Sequence, residues 1–338
     1  MSHFTGNPLT STLGIRLPII MAPMFLVSNE AMVVEAMRSG IMGVFPSLNY
    51  REEGELEALL GRLSAFSRTE PCQGAFGVNL IVQKTNLLFK KHLELCVSAK
   101  VPFYITSLGS PKEVIEAAHS YGAKVYCDVT NMTHAEKCAS LKCDGFIAVG
   151  QGAGGHAGPH PLSVLIPALK RDFPEIPVVA AGGIATGSGV VSALALGASG
   201  ASIGTLFIAT DEAAVGDAYK NAVLESGMDD IVMTERLSGT PCSIIETPYS
   251  KKIGYKQNVF EKYLSNNSWT RKYFKALVHI RGLKMLEHAV KPGNYQNLWC
   301  AGKSSELIEE KSSVTSVITR LEREMGLTME QLRKQFES

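Results

Sequence analysis

A single histidine stands among glycines in the stretch GFIAVGQGAGGHAGPH, residues 145–160. An apolar run that reads as a strand stops there, and five of the nine positions from Gly150 to Gly158 are glycine. Glycine loses more conformational freedom on folding than any other residue, so this density implies a special backbone shape or a close approach. A neutral imidazole with a pKa near ~6.5 suits removal of an acidic C–H proton at neutral pH. His156 is therefore the candidate catalytic residue. The competing readings are a solvent-exposed histidine, a structural hydrogen-bonder, and a metal ligand paired with His160. The metal reading is the weakest: HAGPH holds Gly and Pro, and no Cys, Asp or Glu stands nearby. No metal is expected.

Two further loops carry backbone donors. AAGGIATGSG places Gly182 and Gly183 at a strand end, with a helix N-terminus expected near Gly187–Ser188. SIGTLFIAT offers the amide of Gly204 and the hydroxyl of Thr205. Two amide-rich loops side by side make an anion cradle, which suits a phosphate. In GVNL, Asn79 is an amide inside an apolar run, able to donate and accept at the edge of a flat heterocycle. MAPMFLVSN adds the small and apolar Ala22, Pro23 and Met24. Together these suit a phosphorylated, flat, largely apolar cofactor such as FMN. Cys127 reads as a packing thiol. His92, His119 and His134 fall in helical segments, and His279 and His288 lie in the later helical region.

These residues need a frame, and the chain alternates apolar runs with helical patterns. The expected strands are 18–24, 42–48, 76–82, 103–109, 124–129, 145–151, 177–183 and 201–207. Short, continuous apolar runs bounded by Gly or Pro fit strands buried on both faces of a parallel sheet. The helical segments between and after them are 28–40, 54–66, 86–99, 110–122, 131–141, 162–173, 187–197 and 211–226. Eight βα units in a row predict an α/β fold of the (β/α)8 TIM-barrel class, ahead of a doubly wound sheet. In such barrels the site forms at the C-terminal strand ends, and phosphate sits after strands seven and eight. The pattern then changes. Residues 227–298 read as a small, mostly helical cap inserted after the eighth unit, with a helix over 271–290. The barrel domain would comprise 1–226 and 299–338, with a closing helix over 305–325.

Composition removes several function classes. The net charge of +1 over 338 residues gives no footprint for nucleic acid. The seven cysteines form no CxxC pair, which fits reduced thiols in a cytoplasmic protein. No signal segment or membrane-length apolar stretch is expected, and no Walker, HExxH, GxSxG or Rossmann fingerprint is present.

With LPIIMAPM, GVNL, AGGHAG, VVAAGGIATG, IGTLFIAT and LWCAGKSS in order, residues 10–325 resemble the nitronate monooxygenase family, formerly 2-nitropropane dioxygenases. The related FMN-dependent enoyl-ACP reductases share that fold. The resemblance implies an FMN enzyme in which Ala22–Met24 and Asn79 contact the flavin and Gly154 and Gly155 back it. Gly183, Gly204 and Thr205 would hold its phosphate, and His156 would be the base or orienter for a nitroalkane or nitronate oxidised with O2. The family usually writes Gln-Gly-x-Glu-Ala-Gly-Gly-His; here Val149 and Gly152 stand at the Gln and Glu positions, and a shifted register would let Gln151 supply the amide. Three alternatives remain open: a reductase taking hydride from NAD(P)H to an enoyl thioester or quinone, a flavin-binding protein with little turnover, and a phosphosugar-type barrel without flavin. The expected partner is a small-molecule substrate, and a homo-oligomer is allowed.

Overall fold

The computed structural model describes Phe4 and residues 6–237, 240–256, 278, 285 and 298–337. Eight parallel strands close into a barrel: β1 (Ile19–Met21), β2 (Met42–Pro46), β3 (Ala75–Ile81), β4 (Phe103–Ser107), β5 (Lys124–Val129), β6 (Gly145–Val149), β8 (Val178–Ala181) and β9 (Gly200–Ile203). The gap in that series is β7 (Gly155–His156), which leaves the barrel to join a second sheet. Closure is direct, with Ile19, Ile20 and Met21 opposite Ala201, Ser202 and Ile203.

Side-chain alternation explains the unbroken apolar runs. Ile20, Val44, Ile105, Ile147 and Val179 pack into the barrel interior. Their neighbours Ile19, Met21, Phe45, Tyr104, Phe146 and Val178 pack outward into the layer shared with the helices. Both faces are buried, so neither needs polar residues.

The helices begin where short polar side chains satisfy free backbone donors. Asn29 caps Glu30–Arg38 by accepting from Met32 N, and Asn131 caps Met132–Ser140 by accepting from His134 N. Ser28 acts on the preceding loop, where its Oγ accepts from Met24 N at 2.9 Å. Proline precedes the helix Lys112–His119 as its cap residue, one place earlier than expected. The closing helix runs over Val314–Phe336, later and longer than expected, and a single 3-10 turn covers Lys303–Leu307. That helix packs on Gly187–Ala195 and Glu30–Arg38, so the C-terminal segment seals the barrel beside its first and seventh βα units.

The described part of the expected cap is not helical throughout. β10 (Ile231–Thr234) and β11 (Cys242–Ile245) pair antiparallel, and β11 pairs in turn with β7. A short helix, Pro248–Ile253, follows. The helix expected over 271–290 lies outside the described residues, apart from Val278 and Met285. Among the described residues no helix is long and apolar enough to cross a membrane.

Candidate active site

The C-terminal strand ends open into a cavity of about 1290 Å³. A single small-ligand pocket usually measures ~300–1,000 Å³, so this one has room for a cofactor and a substrate together. Its wall includes Ala22, Pro23, Met24, Asn79, Gly154, Gly155, His156, Gly182, Gly183, Gly204 and Thr205. The eleven residues come from five separate loops or strands of the sequence reading. Gln151 does not join them: it is exposed, and its N–H donates to the His160 carbonyl at 3.0 Å.

The wall after β1 is held rigid by one amide. Asn49 Oδ1 accepts from Leu26 N at 2.8 Å, while its Nδ2 donates to Ser28 O at 2.8 Å and Met24 O at 3.2 Å. Leu26 takes a positive φ of 61°, a strained shape for leucine that this clamp supports. Met24 is thereby fixed at the cavity mouth.

Three glycine-bearing loops cross backbone to backbone at the cavity wall. A Cβ on Gly154 would lie 2.7 Å from Gly302 N, and one on Gly302 would lie 2.5 Å from Gly152 O. A Cβ on Gly152 would come to 3.0 Å from Gly183 N. These contacts join residues 150–155, 182–183 and 301–302. The missing side chain of Gly154 is therefore used by Ala301–Gly302, and Gly152 meets the Gly183 backbone where the family's glutamate would need space. Thr205 ties the third loop to β9, its Oγ1 accepting from Gly302 N at 2.9 Å.

On the β8 and β9 side, Gly182, Gly183, Gly204 and Thr205 line the cavity together. The helix start near Gly187–Ser188 is not part of this group. Gly187 N donates to Glu324 Oε2 at 2.7 Å, and Gly189 N donates to Thr186 Oγ1. The closing helix has taken that N-terminus. The strand expected over 201–207 ends at Ile203, and Thr205–Ile208 turns into a short helix.

His156 stands on the two-residue strand β7, with its Cα opposite that of Cys242 on β11. It is exposed to the cavity rather than packed in the core. Opposite lies a polar chain that the sequence reading missed beyond its first member. Asn79 Nδ2 donates to Ile105 O at 3.1 Å and to Ser107 Oγ at 2.8 Å. Ser107 Oγ then donates to Asp128 Oδ2 at 2.5 Å. Both Nδ2 hydrogens of Asn79 are used, so its Oδ1 is the atom left to accept from a ligand. Asp128 is the one carboxyl among the described lining residues. Burial pushes it up to about 6, against the opposing pull of the Ser107 hydrogen bond. The signal was present: an acid inside the apolar run KVYCDV is as anomalous as Asn79 inside GVNL.

His134 and Lys137 also line the cavity, while His92 is buried and His119 bonds Asp144 Oδ2 at 2.8 Å outside it. Cys127 is buried and accepts from Thr106 Oγ1 at 3.3 Å. Among the described residues no cluster of three or more His, Cys, Asp or Glu is placed to hold a metal.

The family model for nitronate monooxygenase matches residues 65–324. A Mycobacterium tuberculosis enzyme named (3aS,4S,5R,7aS)-5-hydroxy-7a-methyl-1-oxo-octahydro-1H-indene-4-carboxyl-CoA dehydrogenase is 30% identical over 249 residues, covering 73% of this chain and 68% of its own. A probable nitronate monooxygenase of Staphylococcus saprophyticus is 30% identical over 259 residues, covering 72% and 69%. Among solved structures, FabK from Thermotoga maritima aligns with a TM-score of 0.81 at 26% identity, over 97% of this chain and 98% of that one. A nitroalkane oxidase from Streptomyces ansochromogenes has the same fold, with a TM-score of 0.79 at 22% identity over 96% and 99%.

Proposed function

Because the chain belongs to the nitronate monooxygenase family of FMN-dependent oxidoreductases, we propose that it oxidises an alkyl nitronate or nitroalkane with O2 to a carbonyl compound and nitrite. The observation that carries this reading is the placement of His156 and the amide-rich cradle on one cavity large enough for two ligands. The residues fit FMN. A Cβ on Gly204 would make only ordinary contacts, the nearest at 3.6 Å to Ala22, so the protein itself does not require glycine there. A phosphate drawn against the Gly204 backbone would. Gly182, Gly183 and Thr205 supply further donors on that side, while the Asp128 carboxyl lies well round the barrel on β5.

FMN, when bound, supplies the redox chemistry. The chain's own part is binding and proton handling. Asn79 offers Oδ1 to an N–H of the flat ring, with its amide held by Ile105 O and Ser107 Oγ. Ala22, Pro23 and Met24 give the ring an apolar bed. His156 Nε2 or Nδ1 takes the α-proton of a neutral nitroalkane, or donates to a nitronate oxygen to hold it in place. Mixing purified protein with ethylnitronate under air, while following flavin absorbance and nitrite, tests this. Nitrite release abolished by His156→Ala is the expected result; no nitrite with any nitronate refutes it.

The cavity's size favours one second reading. It would also admit a bulky acyl thioester, the substrate class in the name of the Mycobacterium relative, with NAD(P)H as electron donor. Rapid flavin bleaching by NADH in the absence of oxygen, followed by reoxidation with an enoyl thioester, would select this reading over the first.

A further inference from the structure

Two thiols that the flavin chemistry leaves unused face each other across the cavity wall. Cys242 Sγ and Cys300 Sγ are 3.9 Å apart, and both residues line the cavity. Cys242 lies on β11, directly opposite His156 on β7. Residues opposite one another in an antiparallel pair project from the same face, with Cβ atoms ~4.5–5.5 Å apart. The order imidazole, thiol, thiol is thus built into the second sheet and the segment bridged to it at Ile244–Cys300. Tyr219 fixes that segment from behind, its hydroxyl donating to Cys300 O at 2.5 Å while its ring stacks on Trp299.

We propose that Cys242 and Cys300, with His156 as proton acceptor, form a peroxide-reactive dithiol site that closes to a reversible disulfide. The oxidant is hydrogen peroxide or a small alkyl hydroperoxide entering through the cavity. Cys300 is the attacking thiol. It is the more accessible of the pair, since Cys242 is buried and Cys300 only partly so. The Cys300 thiolate attacks the peroxide oxygen, breaks the O–O bond and becomes a sulfenic acid, releasing water or an alcohol. His156 then removes the Cys242 proton. The Cys242 sulfur attacks the Cys300 sulfur, and the hydroxide leaves as water with the proton from His156. Two thiols and one hydroperoxide thus give one disulfide, one alcohol or water, and one further water. A thiol reductant returns both thiols by exchange.

The test is peptide mapping of the full-length wild-type protein, alkylated while folded, before and after exposure to hydrogen peroxide. A cross-linked peptide joining Cys242 to Cys300 is expected, reversible by dithiothreitol. Cys242→Ser should instead accumulate a dimedone adduct at Cys300, and His156→Ala should slow cross-linking ~10²-fold, the lower end for loss of a general base. Full alkylation of both thiols after peroxide overturns the proposal, as does a disulfide that uses any other cysteine. The wild-type map decides by itself if a variant fails to fold. Because the reaction needs no flavin, its outcome is independent of the nitronate assay.

Discussion

Replacing Asp128 by Asn should stabilise the protein at pH 8 and do little at acid pH. In the unfolded chain an aspartate titrates near ~3.9. In the fold, burial lifts Asp128 to about 6. Its folded-state pKa is raised, so between these values the folded state binds more protons and stability falls as pH rises. The cost is absent well below pH 3.9 and complete above pH 6. The two pKa values give a cost of about 1 kcal/mol at pH 4.5 and about 3 kcal/mol at pH 8. Asp128 is only half-buried and faces an open cavity, so solvent screening trims the upper figure to roughly 1–2 kcal/mol. Asparagine removes the charge, yet its Oδ1 still accepts from Ser107. Calorimetry of flavin-free wild type and variant across pH 4.5–8 measures the effect without ligand linkage. The variant should melt roughly 1–3 °C higher at pH 8, and the gap should shrink towards pH 4.5. A gap that does not change with pH, or a less stable variant at pH 8, refutes the reasoning.

Other perturbations reach other parts of the site. His156→Ala should lower turnover of a nitroalkane by ~10²–10⁴ in stopped-flow assays. Gly302→Ala puts a Cβ 2.5 Å from Gly152 O, and this overpacking should cost roughly 1–3 kcal/mol in denaturant melts while weakening FMN binding in a fluorescence titration. Thr205→Val leaves the buried Gly302 N–H without its acceptor, with an expected loss of about 1–3 kcal/mol and a raised Kd for FMN by calorimetric titration.

The barrel was legible because burial on both faces writes strands as apolar runs, and each predicted run overlaps a barrel strand. The eighth ran too long because TLF suits a strand end and a helical turn equally, and periodicity does not separate them over so few residues. β7 was illegible: two residues, Gly and His, carry no strand signal, and the pairing comes from Cys242 and Ser243, almost ninety positions later. The glycines at 152 and 154 announced a close approach, but their backbone partners lie at 183 and 301–302, which sequence spacing does not disclose. Asn79 was found by its polarity in an apolar run, and the same reasoning applied to Asp128 would have found the other end of that chain. Glu324 offers no such clue, since an acid on an amphipathic helix gives no sign that it caps a helix more than a hundred residues earlier.

The pairing of β7 also sets an order of assembly. All eight barrel strands are in hand once Ile203 has been synthesised, but the strand that pins His156 waits for Cys242–Ile245, and the loop crossing at the cavity wall waits for Gly302. A nascent chain could therefore close its barrel before it owns a working site. Competence to bind and turn over a ligand would appear as a late, separate event, detectable as a lag between recovery of barrel secondary structure and recovery of catalysis on refolding.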